Sequence, residues 1–243
     1  MKAVILCGGR GTRLAEETKV TPKPLVEVGG IPIVIHIINH YLNHGISEFI
    51  LATGYLADQF TAYFSDSNKS RLSAELFGRT ATVTVVNTGE ETLTGGRLLR
   101  LKPLLTDENF LLTYGDGLTN SNIKESLEFH MNHKKKATIT AVRPPARFGV
   151  IQMDEKSAVN YFQEKNQTDA GWINGGFFVF NKSIFDYLED DKTVLEEKPL
   201  RGLTKESELM AFKHHGFWQC MDTIRDREYL EELWANGKAP WNE

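Results

Sequence analysis

The chain has 243 residues, 41% of them hydrophobic and 25% charged, values that fit a globular domain and exclude both a disordered polymer and a membrane-embedded chain. With 28 Lys and Arg against 32 Asp and Glu, the net charge of −4 excludes a broad duplex-binding surface, which needs a clear excess of cations. No apolar run approaches the roughly 18 residues of a spanning helix and residues 1–7 are too short for a secretory leader, so the expectation is a single cytoplasmic domain over 1–243 with no nucleic-acid or membrane partner.

Residues 2–7 (KAVILC) form an apolar run that stops at GGRGTRL, the pattern of a buried parallel strand feeding a glycine-rich loop. Pro32 opens a segment with apolar residues at 33, 34, 37, 38, 41 and 42, closed by Gly45, which is helical spacing with proline at the start and glycine past the end. Residues 48–53 read as the next strand and 56–64 as the next helix, the alternation of a parallel sheet with crossover helices. Further strands are expected at 81–86, 110–114, 138–142, 149–153, 158–162, 176–180, 210–213 and 217–221, with helices at 123–133 and 224–234. The second half is thus the more sheet-rich, and the final APWNE reads as a loose tail. The expected fold is α/β: a mainly parallel, Rossmann-like mixed sheet flanked by helices, with a small sheet-rich lobe.

The loop Gly8-Gly9-Arg10-Gly11-Thr12-Arg13 would let backbone N–H groups approach a phosphate or base. Lys19 to Pro24 follows it as a proline-bounded loop, where a dinucleotide site would want a helix and an acid ending the second strand. A Gly-Lys-Ser/Thr phosphate loop is absent as well. Lys23 stands between Pro22 and Pro24, which restrict the backbone around one cation; it is either a triphosphate contact or a surface lysine in a stiff loop. Asp116 lies between Gly115 and Gly117 at a strand's carboxyl end, the ligand-binding edge of open α/β sheets, or makes a solvated Asp-Gly turn. Asp222 is the natural second carboxylate for Mg²⁺ among phosphates, or an N-cap of the closing helix.

Thr94-Gly95-Gly96-Arg97 reads as a helix start with a capping threonine, where N–H groups and an arginine could meet an anion or base. Glu164 and Lys165 offer a carboxylate for hydroxyls beside an ammonium for phosphate, or form a surface pair, and Asn174, entering an apolar strand, is either presented to a ligand or merely makes the turn. Cys7 and Cys220 lack metal-ligand spacing and read as structural thiols. His214 and His215 read as exposed strand-end residues.

In order and spacing, LCGGRGTRL, TPKPLVEVGGIPI, TYGDG, FQEK, INGGFFVF and FWQCMDT resemble the sugar nucleotidyltransferase family along nearly the whole chain. TGGRLLRL, PPARFG and MDTIRDREYLEELWANGKAPW resemble its glucose-1-phosphate cytidylyltransferase branch, which implies CTP and a sugar 1-phosphate as substrates. The resemblance implies nucleotide contacts from Leu6, Cys7, Gly8, Gly9, Arg10, Gly11, Thr12 and Arg13, with Arg13 and Lys23 on the phosphates and Thr94, Arg97 and Gly115 beside the nucleotide. It also implies Mg²⁺ on Asp116 and Asp222, the sugar phosphate on Glu164, Lys165 and Asn174, catalysis carried by Arg13, Lys23, Asp116, Lys165 and Asp222, and a homo-oligomer. Cys7 replaces the usual alanine, EKN replaces EKP, and residues 65–80 are shorter than the family's subunit-packing excursion. The chemistry is compatible with UTP or dTTP with glucose 1-phosphate, with GTP and a heptose or mannose phosphate, or with a sugar-nucleotide sensor that does not turn over.

Overall fold

A computed structural model describes residues 1–14, 18–65, 79–144, 150–155, 157–163 and 171–242. Its centre is a seven-stranded sheet of order β12-β8-β11-β6-β1-β4-β5, in which β1 is Lys2–Leu6, β4 Glu48–Thr53, β5 Thr82–Asn87, β6 Asn109–Tyr114, β8 Ala137–Val142, β11 Ile173–Asn181 and β12 Leu209–Lys213. All neighbours are parallel except β11, which runs antiparallel to both β6 and β8. Central strands of such a sheet are covered on both faces, so their sequences are apolar throughout and do not alternate with polar residues. β1 illustrates this. Ala3 and Ile5 enter one core with the helix α1 (Ile33–Asn43), while Val4 enters the other with Leu98 and Leu101. The first core also takes Phe60 of α2 (Ala57–Ser65), Ile123 of α4 (Ile123–His133) and Leu230 of α6 (Ile224–Ala235); the second takes Leu98 of α3 (Thr94–Arg100) and Leu200 and Leu203 of α5 (Lys198–Lys205).

Sequence spacing located the strands at 48–53 and 110–114 and the helices at 33–42, 123–133 and 224–234 to within about two residues at each end, the usual fraying of such boundaries. Three short pieces carry no periodic signal: the hairpin β2 (Glu27–Val28) with β3 (Ile31–Pro32), and β7 (Gly117–Thr119), which pairs antiparallel with β13 (Trp218–Cys220). The strands expected at 149–153 and 158–162 form a separate antiparallel ribbon, β9 (Val150–Met153) with β10 (Val159–Gln163).

The expected loose tail is not loose. Residues Pro240–Asn242 form a 3-10 turn, and Trp241 is buried at 1% exposure in the first core. Its indole donates to His36 Nδ1 at 3.2 Å, and Asn39 of the same helix donates to Asn242 at 3.3 Å. The apolar area of one tryptophan outweighs the polar flank that made the segment look solvated.

Candidate active site

Because β1, β4, β6 and β8 run parallel, their carboxyl ends meet on one edge of the sheet, and the glycine loop, Lys23, Thr94, Arg97, Asp116 and Asp222 gather there. Leu6 hands the chain to the glycine loop, and Tyr114 hands it to Gly115 and Asp116. A cavity of about 550 Å³ opens on this edge, lined by residues 6–12, Lys23, Asp116 and Asp222, with Thr94, Arg97, Tyr114 and Glu196 on a further wall.

The three charges singled out from sequence meet. Lys23 Nζ lies 2.6 Å from Asp116 Oδ2 and 2.6 Å from Asp222 Oδ1. Lys23 is only 8% exposed, so it is not a surface lysine; burial opposes its charge, but the two carboxylates outweigh that effect and hold its pKa above the ordinary lysine value. The backbone fixes the acids. Met221 N–H donates to the Asp116 carbonyl at 2.8 Å, closing the β7–β13 ribbon so that residues 116 and 222 leave it side by side. Nor does Asp222 cap the closing helix, because Thr223 takes that place and forms a reciprocal capping box with Asp226.

Arg97 lines the cavity from beneath, held by the protein itself. The residue is 5% exposed beneath the glycine loop, where Nη2 donates to the carbonyls of Gly8 (2.9 Å) and Glu90 (3.2 Å). Nη1 reaches the carbonyls of Thr53 (3.0 Å) and Gly89 (2.6 Å) and Thr88 Oγ1 (2.8 Å). The arginine therefore ties together the chain ends that follow β1, β4 and β5. Gly8 is the complement of this contact: a Cβ there would sit 2.1 Å from Arg97 Cζ. The glycine loop is thus small on its inner side for the arginine, and Gly11 takes φ +61° to turn the chain onward.

Thr94 likewise is not a cap. The N-cap of α3 is Leu93, and the N–H groups of Gly95 and Gly96 are taken by Thr193 O at 2.9 and 3.2 Å. The Thr94 hydroxyl instead donates to Glu196 Oε2 at 2.6 Å and accepts from Leu195 N–H. Tyr114 donates to Glu196 Oε1 at 2.5 Å and accepts from Asn174 Nδ2 at 3.2 Å, so Asn174 is joined to the cavity wall through the tyrosine. Burial and the adjacent carboxylate push the Tyr114 phenol well above its ordinary pKa, so it stays protonated. Glu196 and Tyr114 were missed from sequence: Tyr114 reads as a strand end, and Glu196 sits in an irregular segment about 100 residues from Thr94.

Arg10 lies at the rim, 2.8 Å from Glu90 and 2.7 Å from Glu91. Burial pushes the Cys7 thiol up, in keeping with a structural cysteine. The Arg13 side chain and residues Glu164 and Lys165 lie outside the described residues. His214 is half-buried with Nε2 on Phe217 O, while His215 is exposed.

The nucleotidyl transferase family matches residues 2–223. The chain belongs to that family. As a nucleotidyl transferase family member it is 49% identical over 254 aligned residues to the glucose-1-phosphate cytidylyltransferase of Salmonella typhi, covering 99% of this chain and 98% of that relative. It is 40% identical to a probable glucose-1-phosphate cytidylyltransferase of Bacillus subtilis, covering 99% of each. In fold, the nucleotidyl transferase chain resembles the crystal structure of HddC from Yersinia pseudotuberculosis, with a TM-score of 0.72 at 24% identity, covering 96% of this chain and 99% of that one.

The two carboxylates suit a divalent cation. Among the described residues there is no cluster of three or more His, Cys, Asp or Glu side chains arranged for a metal, so a protein-only cage is not what the site offers. Two acids facing one cation, beside an open cavity, match the habit of Mg²⁺, which takes one or two carboxylates and completes its shell with water and phosphate oxygens. Also among the described residues, no helix is long and apolar enough to cross a membrane.

Proposed function

We propose that this chain transfers the cytidylyl group of CTP to α-D-glucose 1-phosphate, giving CDP-glucose and pyrophosphate. The observation that carries the chemistry is the meeting of Lys23, Asp116 and Asp222 beside the glycine loop in one cavity. The choice of substrates is supported by the 49% identity to a glucose-1-phosphate cytidylyltransferase. A phosphate oxygen of glucose 1-phosphate attacks the α-phosphorus of CTP in line; the bond from that phosphorus to the β-phosphate bridging oxygen breaks, and its electrons leave on pyrophosphate. No general base is needed, because the attacking phosphate is already ionised near neutral pH.

Positioning and electrostatics then carry the reaction. The loop from Leu6 to Arg13 takes the nucleotide, and Gly115 lines the same edge. Lys23 exchanges part of its contact with the acids for the triphosphate, and Arg10 and Arg13 add positive charge at the phosphate end. Asp116 and Asp222 are the residues that would hold Mg²⁺, which would supply charge neutralisation on the reacting phosphates. Thr94 and Arg97 serve the nucleotide side through the wall and the loop they hold. The ribbon β9–β10 ends at Gln163, next to Glu164 and Lys165, and with Asn174 it forms the sugar-phosphate side of a single domain spanning 1–243. The enzyme works in the cytoplasm as a homo-oligomer.

The test is pyrophosphate release by purified protein with Mg²⁺ and glucose 1-phosphate, with CTP, UTP, dTTP, GTP and ATP assayed separately. Release with CTP is expected; release with a different nucleotide would keep the chemistry and replace the substrate, and silence with every nucleotide and sugar phosphate would favour a sensor.

A further inference from the structure

Glu196 is, among the described residues, an acid on the cavity wall that the reaction above leaves without a task. It lies two residues before α5 in an irregular segment, half-buried, and lines the same cavity as Lys23 and Asp116. Among the described residues no lysine or arginine forms an ion pair with it; its two oxygens are held by neutral donors, Oε2 by the Thr94 hydroxyl and Oε1 by the Tyr114 phenol. Both donors are themselves fixed, Thr94 by Leu195 N–H and Tyr114 by Asn174 Nδ2.

This differs from the other acids of the cavity. Asp116 and Asp222 share the Lys23 ammonium, and Glu90 and Glu91 share the Arg10 guanidinium. A carboxylate has about four lone-pair positions, and Glu196 has filled two of them with neutral partners, so its orientation is set while no cation among the described residues is paired with it. Such a group repels phosphates and serves as an acceptor for uncharged donors, to which its hydrogen bonds are charge-assisted. In a nucleoside triphosphate and a sugar phosphate the abundant uncharged donors are hydroxyls.

We propose that Glu196 is a specificity-determining residue that accepts a hydrogen bond from a sugar hydroxyl of the bound substrates, in a position set by Thr94 and Tyr114. The inference rests on the nucleotidyl-transfer reading of the cavity. The hydroxyl belongs either to the hexose, towards Asn174, or to the ribose, towards α3, and the test separates these sources.

Initial rates of pyrophosphate release are measured for the full chain with Mg²⁺ on the parent substrates, on the 2-, 3-, 4- and 6-deoxy forms of glucose 1-phosphate, and on 2′-deoxy- and 3′-deoxy-CTP. The near-isosteric Glu196→Gln keeps the shape and removes the charge. Wild type is expected to lose kcat/KM about ten- to a hundred-fold on one of these analogues, the scale of one charge-assisted hydrogen bond. Glu196→Gln is expected to be down by a similar factor on the parent substrates and to lose nothing further on that analogue, while responding to the others as wild type does. The affected analogue names the sugar. Wild-type kcat/KM in Glu196→Gln, or a loss identical across the parents and every analogue, would overturn the proposal and leave Glu196 a brace between Thr94 and Tyr114. If Glu196→Gln does not fold, Thr94→Val takes its place: it frees one oxygen of the carboxylate and must blunt discrimination at a single hydroxyl, a uniform effect again overturning the idea. Should wild type prefer another nucleotide, the panel is run on that nucleotide's deoxy forms. A wild type inactive on every pair removes the nucleotidyl-transfer reading itself, a failure distinct from that of Glu196.

Discussion

Replacing Arg97 with lysine keeps the charge and discards the fork. The guanidinium serves five acceptors on three segments: Gly8 O from the glycine loop, Thr53 O at the end of β4, and Thr88 Oγ1, Gly89 O and Glu90 O after β5. A lysine ammonium has three donors on one atom and cannot span them. Leaving even two of these carbonyls without a partner costs roughly 1–3 kcal/mol each, or about 2–6 kcal/mol together. At about 2–4 °C per kcal/mol for a chain of this size, Arg97→Lys should melt about 4–24 °C below wild type. The nucleotide KM should rise with it, since the loop over the arginine loses its anchor, whereas the KM for the sugar phosphate should move less. Thermal unfolding followed by circular dichroism, with kinetics at a temperature where the variant is folded, reads both. A variant that melts within about 2 °C of wild type, the shift of less than about 1 kcal/mol, with an unchanged nucleotide KM would refute the anchoring role.

Asp116→Asn removes one of the two charges facing Lys23 and is expected to lower kcat by at least about 10²-fold, the scale for deleting one preorganised electrostatic contact, with the melting temperature nearly kept; pyrophosphate release against a thermal scan checks both. Trp241→Ala empties a fully buried site and should cost about 3–5 kcal/mol, read as a lower urea midpoint. Acid should destabilise the fold through its buried histidines. Burial lowers His130 to about 4 and His40 to about 3. Both are neutral in the folded state, so their contribution is complete above about pH 6.5 and is lost as pH falls from there towards 4, at a limiting slope near 1.4 kcal/mol per pH unit for each. Urea midpoints that stay level between pH 7 and 5 would contradict this.

What the sequence disclosed were features set by neighbours along the chain. The strand before the glycine loop, the helix at 123–133 with Asn122 capping Glu125 N–H and the aspartate between two glycines announce themselves locally. The bracing contacts of Arg97, the place of Glu196 and the burial of Trp241 were missed for one common reason. Each is placed by residues far away in sequence: Arg97 by Gly8, Glu196 by Thr94, Trp241 by His36. No periodicity encodes which way such a side chain turns. A threonine before two glycines looks like a cap until the segment around Thr193 arrives to take the glycine N–H groups.

The order of strands also decides when this protein can first function during its own synthesis. β1 is made first yet lies between β4 and β6, and β6 waits for β11, so the middle of the sheet stays open until residue 181 has emerged. Asp116 meets its partner later still, when residue 222 leaves the ribosome and the β7–β13 ribbon closes. At about 5–20 residues per second, that last interval alone lasts seconds. A nascent chain therefore carries the glycine loop long before it carries the second acid, and the cluster of Lys23, Asp116 and Asp222 is complete only once residue 222 has been made.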